Sequence, residues 1–263
     1  MARDVATQFW VETSAPALEG RLAAQYALSN GYLGLRGTHE EMPAWASPGF
    51  YVAGTYSPSP REKLFGIHAP DHILTHSERV KPEHHAKYQE LTTIPNLPNP
   101  VAVKLKIGDE VIDLATVTIK SCERVMHMKE ARLTRRLVIR DSAGRRTVID
   151  SERFVSWANP KLLAFRYRVT PDGYTDAVDV RPYVHTDVAN GRGVKLFEVV
   201  DSEENIQPFD FAQGRHPTSN TEHRSAKQCP AINMIEVRFG RPSQRLTIVQ
   251  AYEIRKEKGA VVL

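Results

Sequence analysis

An all-β fold, built as two stacked antiparallel sheets, is what this 263-residue sequence predicts, on three observations. Apolar and polar residues alternate with period two over many short stretches, the pattern that lays one side of a strand against a core. Turn-forming residues punctuate those stretches at close intervals. Helical spacing is scarce, with Pro16 to Tyr26 and Lys81 to Gln89 as short candidates. Strands that each bury one face need a second layer to cover them, so a large β-sandwich is expected, with residues 1–263 as a single domain.

The run Leu28-Ser29-Asn30-Gly31-Tyr32-Leu33-Gly34-Leu35-Arg36-Gly37-Thr38-His39-Glu40-Glu41 is expected to form a bent strand or strand-loop. Its three glycines recur every third residue, which suits tight turns or close backbone approach and weakens a helix. Farther along, Val101, Val103, Leu105 and Ile107 alternate with Ala102, Lys104 and Lys106, and Gly108-Asp109 turns the chain into a return strand over 110–114. A second, longer hairpin follows, with strands over 132–140 and 145–155 around Asp141-Ser142-Ala143-Gly144. Leu163, Phe165, Tyr167 and Val169 mark a third strong strand. Ile235, Val237 and Phe239 mark a fourth, and a last strand runs from Leu246 to Ile254. The tracts Ser57 to Glu90 and Gln207 to Pro230, rich in Pro and His or in Asn, Ser and Gln, are expected to be loops.

Composition narrows the function classes. Hydrophobic content of 41% and charged content of 25% are ordinary for a soluble globular protein, and no apolar run is long enough to span a bilayer. The polar start, Met1 to Gln8, lacks the apolar stretch of a secretion signal, so a cytoplasmic protein is expected. Cys122 and Cys229, far apart in sequence, are expected to be free thiols. The net charge of +4 is mild, and Arg135-Arg136, Arg145-Arg146 and Arg255-Lys256 read as solvated strand faces, which argues against a nucleic-acid platform.

Few residues suggest chemistry of their own. His68, His72 and His76 are spaced four apart, but Pro70 breaks the helix that would align them, so no metal site is expected. Glu19, Glu40, Glu41, Asp150 and Glu152 read as surface carboxylates or turn caps. Ser29 and Ser156 lack the strand-turn-helix elbow of a hydrolase nucleophile. No catalytic residue is therefore assigned. A sugar needs an aromatic platform flanked by planar polar groups, and Trp45, between Pro43 and Pro48, qualifies together with the nearby Arg36, His39 and Glu40 as a substrate-binding or interdomain set. Simple packing is the competing reading for Trp45. Trp157 is expected to cover the sandwich edge and Trp10 to anchor the first strand. The glycines could serve sheet curvature alone, with Arg36 paired to Glu19 or Glu41.

The glycine-rich run, flanked by Glu19 and Glu40, resembles the opening segment of family 65 of the glycoside hydrolases and phosphorylases, the maltose, trehalose and kojibiose phosphorylase group. Phe50 to Tyr56, Leu91 with Ile94 to Pro98, Ser151 to Ser156, and Val180 to Tyr183 through Val188 to Gly191 are similar to later family segments, in order, over about residues 10 to 255. Cys122 to Arg135 resembles another, although His127 and Lys129-Glu130-Ala131 stand where the family writes Asp and Gly. The resemblance implies a supersandwich of the galactose mutarotase kind, forming the amino-terminal domain of an enzyme. Its chemistry would reside in a following (α/α)6 helical barrel, absent from residues 1–263 together with the general-acid glutamate and phosphate-binding residues. It further implies an α-linked disaccharide as substrate, inorganic phosphate as co-substrate rather than any cofactor, the barrel as docking partner, and a homodimer. A free-standing carbohydrate-binding module and, more remotely, a histidine-loop metal enzyme are the alternatives.

Overall fold

The computed structural model describes residues 8–12, 18–60, 90–190, 193–206, 231–240, 243–257 and 259–263. In chain order, β1 (Gln8–Glu12) precedes α1 (Glu19–Gln25), the one α-helix among the described residues, and then β2 (Leu28–Ser29), β3 (Leu33–Leu35), β4 (Phe50–Val52) and β5 (Ser57–Pro60). Next come β6 (Glu90–Thr93), β7 (Asn99–Ile107), β8 (Glu110–Val111), β9 (Thr118–His127), β10 (Arg132–Arg140), β11 (Arg146–Val155), β12 (Leu163–Asp172) and β13 (Val178–His185). The last are β14 (Phe197–Ile206), β15 (Ala231–Phe239), β16 (Gln244–Tyr252), β17 (Arg255–Glu257) and β18 (Ala260–Val262).

The fold is all-β and antiparallel, as the alternation predicts. One layer is a seven-stranded sheet in the order β1-β9-β10-β11-β12-β18-β17. The facing layer is divided among the sheets β13-β7-β8 and β14-β15-β16, with the small sheet β2-β3-β4 at one end. Two apolar clusters join the layers. One gathers Leu35, Phe50, Val101, Met126, Leu133, Val155 and Val237, and the other gathers Val103, Leu105, Ile107, Cys122, Leu137, Ile149, Tyr167 and Val169.

Both predicted hairpins form. Gly108, with φ of +58°, turns β7 into β8. Asp141 closes the β10–β11 turn, its carboxylate accepting from the Arg145 backbone N–H at 2.9 Å and from Arg145 Nε at 2.7 Å. The strand predicted to be last is followed by β17 and β18, which return the chain to the edge of β12. The tract expected to loop over 57–90 is bounded by paired strands, β5 and β6, because Ser57 and Thr93 lie in register. Residues 61–89 and 207–230, with the histidines at 68, 72, 76, 84 and 85, the helix candidate 81–89 and Cys229, lie outside the described residues. Cys122 is a buried free thiol. Trp157 does not cover an edge: it is 73% exposed, beside exposed Phe154 and Leu162.

Candidate functional site

The glycine-rich run holds its shape through backbone and side-chain anchors rather than chemistry. Gly31 turns β2 into β3 with φ of +86°, a value that L residues resist. Asn30 braces that turn, Oδ1 accepting from the N–H groups of Tyr32 at 3.0 Å and Leu33 at 2.7 Å. Its Nδ2 donates to the carbonyls of Ser156 at 2.6 Å and Pro160 at 3.0 Å, tying the turn to the loop between β11 and β12. Gly37 permits a close approach to α1, because a Cβ there would lie 2.3 Å from Tyr26 Cβ. The next family-like segment has an equivalent hub. Asn96 accepts from Phe50 N–H at 3.0 Å and donates to the carbonyls of Pro48 at 3.1 Å and Ala189 at 3.0 Å.

Between the two apolar clusters, residues 36–41 cross the inner face of the large sheet and meet a belt of buried charge. Arg124 of β9 and Arg135 of β10 are direct cross-strand neighbours, and Arg153 of β11 lies opposite Leu133, one step along the same face. Three guanidiniums so close repel one another unless carboxylates intervene. Glu19, Glu40 and Glu41 supply them. Arg124 Nη2 lies 2.7 Å from Glu19 Oε2, and its Nη1 donates to Gly37 O at 3.0 Å. Arg135 forks onto both oxygens of Glu41 at 2.7 Å each and meets Glu40 Oε2 at 2.9 Å. Arg153 donates to Thr38 O and lies 3.6 Å from Glu40 Oε1. Tyr167 OH donates to Glu41 Oε1 at 2.6 Å. Glu40 is 0% exposed, and Glu19, His39, Arg124, Arg135 and Arg153 are at most 2% exposed.

Burial of these ions costs more than their attraction returns unless each is fully paired. Pairing is incomplete: neither Glu40 oxygen has an aligned donor, and Arg124 Nε, Arg135 Nε and Arg153 Nη1 have no acceptor. Burial opposes ionisation of Glu40, but Arg135 and Arg153 outweigh it and hold the carboxyl below its ordinary range. For Arg135, burial works against the charge and is overcome by Glu40 and Glu41, which hold the guanidinium firmly protonated. Burial, then Arg135, Arg124 and Arg153, push the His39 imidazole well below its usual value. Burial and the Glu41 charge push the Tyr167 phenol well up. Three carboxylates, three guanidiniums and a neutral His39 give a belt of zero formal charge.

A general acid needs a raised pKa and a path to substrate. Glu40 has neither, being held ionised and enclosed. The geometry suits positioning rather than proton transfer. His39 and Glu40 lie within the belt, while Arg36 and Trp45 are half-buried on the segment it fixes. Trp45 packs edge-on to His39 with ring centroids 5.1 Å apart and also leans on the second apolar cluster. Arg36 pairs with neither Glu19 nor Glu41, whose partners are Arg124 and Arg135. Its Nη2 donates to the Gly20 carbonyl instead. Among the described residues no group of three or more His, Cys, Asp or Glu is arranged to hold a metal ion.

Glu19, Glu40 and Glu41 are thus core ions, not the surface groups that the sequence suggests, and Arg135 is buried while Arg136 alone faces water. A signal for these positions exists in strand parity. Arg124 shares its side with Cys122 and Met126, and Arg135 with Leu133 and Leu137, so each arginine interrupts an inward-facing apolar row.

Residues 11–257 match the glycosyl hydrolase family 65 N-terminal domain. The chain belongs to that family. A kojibiose phosphorylase of Caldanaerobacter subterraneus subsp. tengcongensis is 30% identical over 191 residues, covering 71% of this chain and 21% of the relative. An uncharacterized glycosyl hydrolase of Mycobacterium tuberculosis is 30% identical over 178 residues, covering 66% of this chain and 12% of the relative. A solved structure provisionally named kojibiose phosphorylase, from the human microbiome, superposes with a TM-score of 0.61 at 11% identity, over 99% of this chain and 30% of that one, and shows the same fold. The chain spans about a fifth of the length of the kojibiose phosphorylases it matches. In this family 65 domain the belt arginines fall in the family-like segments around 122–135 and 151–156.

Proposed function

We propose that this chain is the noncatalytic β-sandwich domain of a family 65 disaccharide phosphorylase or hydrolase, a single domain that docks a helical catalytic barrel and assists dimerisation. The parent enzyme cleaves an α-linked glucoside in the cytoplasm with inorganic phosphate as co-substrate. The observation that carries this reading is the family match over residues 11–257, to which the structure adds a reason for the segment's residue types. Glu40 and Glu41 are spent inside the belt with Glu19, against Arg124, Arg135 and Arg153, and none of these is placed to act on a sugar.

Arg36 and Trp45, on the partly exposed side of the segment, carry the substrate-lining or interdomain role, and His39 and Glu40 hold them in place from beneath. Trp157 is a separate exposed aromatic on another loop. It is 73% exposed on a loop fixed by Asn30 and by Ser156 N–H donating to Leu162 O at 2.9 Å. A large aromatic presented rigidly to solvent is the usual centre of a recognition surface.

Incubation of the purified chain with kojibiose, maltose or trehalose and inorganic phosphate is expected to yield no sugar phosphate. Titration calorimetry with the same sugars is expected to show binding weaker than about 1 mM, under about 4 kcal/mol. Turnover on the order of 1 per second by the chain alone would refute the proposal, and tighter sugar binding would favour a free-standing carbohydrate-binding module.

A further inference from the structure

Strand parity gives the seven-stranded sheet a second charged face, on the side turned away from the belt. Arg132, Thr134 and Arg136 of β10 alternate with buried Leu133, Arg135 and Leu137, and Arg166 and Arg168 of β12 alternate with buried Tyr167 and Val169. These outward residues border a groove of about 380 Å³ that runs across β9 to β12. Register sets one row of it, in which Glu123, Arg136, Asp150 and Arg168 stand opposite one another on the four strands in turn. In the neighbouring row Glu152 spends Oε1 on Arg132 at 3.1 Å and Oε2 on Arg166 at 2.9 Å. Asp150 Oδ1 accepts from Arg136 at 2.8 Å. Arg168, half-buried beside Asp150, has no side-chain partner among the described residues.

Four guanidiniums thus meet three carboxylates on this face, an excess of one positive charge. A guanidinium brings several N–H donors and no acceptor, so the groove is rich in donors, while both Glu152 oxygens are already engaged. We propose that it binds a tetrahedral oxyanion, a phosphate or phosphate monoester, held between Arg136 and Arg168 across Asp150. Strand spacing puts those two Cα positions about 10 Å apart, so the two side chains reach one anion from opposite sides. A tetrahedral oxyanion accepts hydrogen bonds in several directions, whereas a carboxylate accepts them in one plane and is matched by one guanidinium fork. An excess of one charge suits a single oxyanion group and not a polyanion such as nucleic acid. A neutral sugar supplies no counter-charge for Arg168.

Titration of the chain with inorganic phosphate at constant ionic strength, followed by backbone amide NMR, tests the proposal. Saturable shifts are expected at Thr134, Ser151 and Arg168, with a dissociation constant on the order of 1 mM. Arg168→Gln is expected to weaken binding about tenfold. Asp150→Asn, which removes a carboxylate competing for the same two arginines, is expected to tighten it about threefold or more. Both positions lie on the outward face, and equal urea midpoints for parent and variants check that the fold persists. A parallel titration with methyl phosphate separates the two sources: tighter binding than phosphate assigns the site to an ester, and equal or weaker binding assigns it to the free ion. Shifts that do not saturate, an unchanged affinity in Arg168→Gln, weaker binding in Asp150→Asn or an equal response to maltose would overturn the proposal.

Discussion

His39 shows how completely the belt sets the state of a single residue. Its Nδ1 lies 2.7 Å from Arg135 Nη1, a group that can only donate, so Nδ1 is the acceptor and the ring proton sits on Nε2, 3.7 Å from Glu19 Oε2. Protonation on Nδ1 would set a charged donor against a guanidinium. An unfolded chain takes up that proton near the ordinary histidine value of 6.5, whereas the folded chain resists it to well below. The unfolded state then binds more protons, and stability falls as pH drops below 6.5. Glu40 acts in the next window down. Its depressed carboxyl contributes stability above the ordinary value of 4.5 that is lost as pH falls through its lower folded value. His39→Gln is therefore expected to reduce the slope of urea-derived stability between about pH 6.5 and about pH 5 relative to the parent chain. An unchanged slope would show that His39 titrates freely in the folded protein.

At the scale of elements, the glycine-rich segment separates into positions with different demands. Gly37 passes so close to α1 that a Cβ would lie 2.3 Å from Tyr26 Cβ and 2.6 Å from Tyr26 O. Gly34, inside β3, would place its Cβ an ordinary 3.8 Å from Tyr51 Cβ. Gly37→Ala is expected to cost about 1–3 kcal/mol in urea unfolding, and Gly34→Ala to change stability by no more than about 0.5 kcal/mol. Equal effects at the two sites would remove the close approach as the reason for Gly37. The hairpins around Gly108-Asp109 and Asp141 to Gly144 are legible in the sequence because period-two alternation and turn residues agree there. Three long strands are not legible, each for a physical reason. β9 carries Arg124 on its inward face, β13 contains Pro182, and β14 is polar and broken by register shifts between Val199 and Asp201 and between Glu203 and Ile206.

Across the whole molecule, a neutral belt divides the space between the sheets into two apolar clusters, while the net charge of +4 resides elsewhere. Such belts favour one arrangement over its neighbours more than they stabilise it. A one-residue slip of β10 that put Thr134 in the place of Arg135 would leave Glu40 and Glu41 enclosed without that partner. The motifs that mark the family were readable as motifs, but their physical meaning was not. A lone sequence shows Glu19, Glu41, Arg124 and Arg135 as scattered polar residues, because the contacts joining them span 94 to 105 positions. The central claim is that these ions fasten the glycine-rich segment to the sheet as one unit. A double-mutant cycle on Arg135→Met and Glu41→Gln, followed by urea unfolding, tests it most directly. The expected result is a loss of about 3 kcal/mol or more for Arg135→Met, with a coupling of at least about 1.5 kcal/mol between the two sites. Additivity within about 0.5 kcal/mol would contradict it.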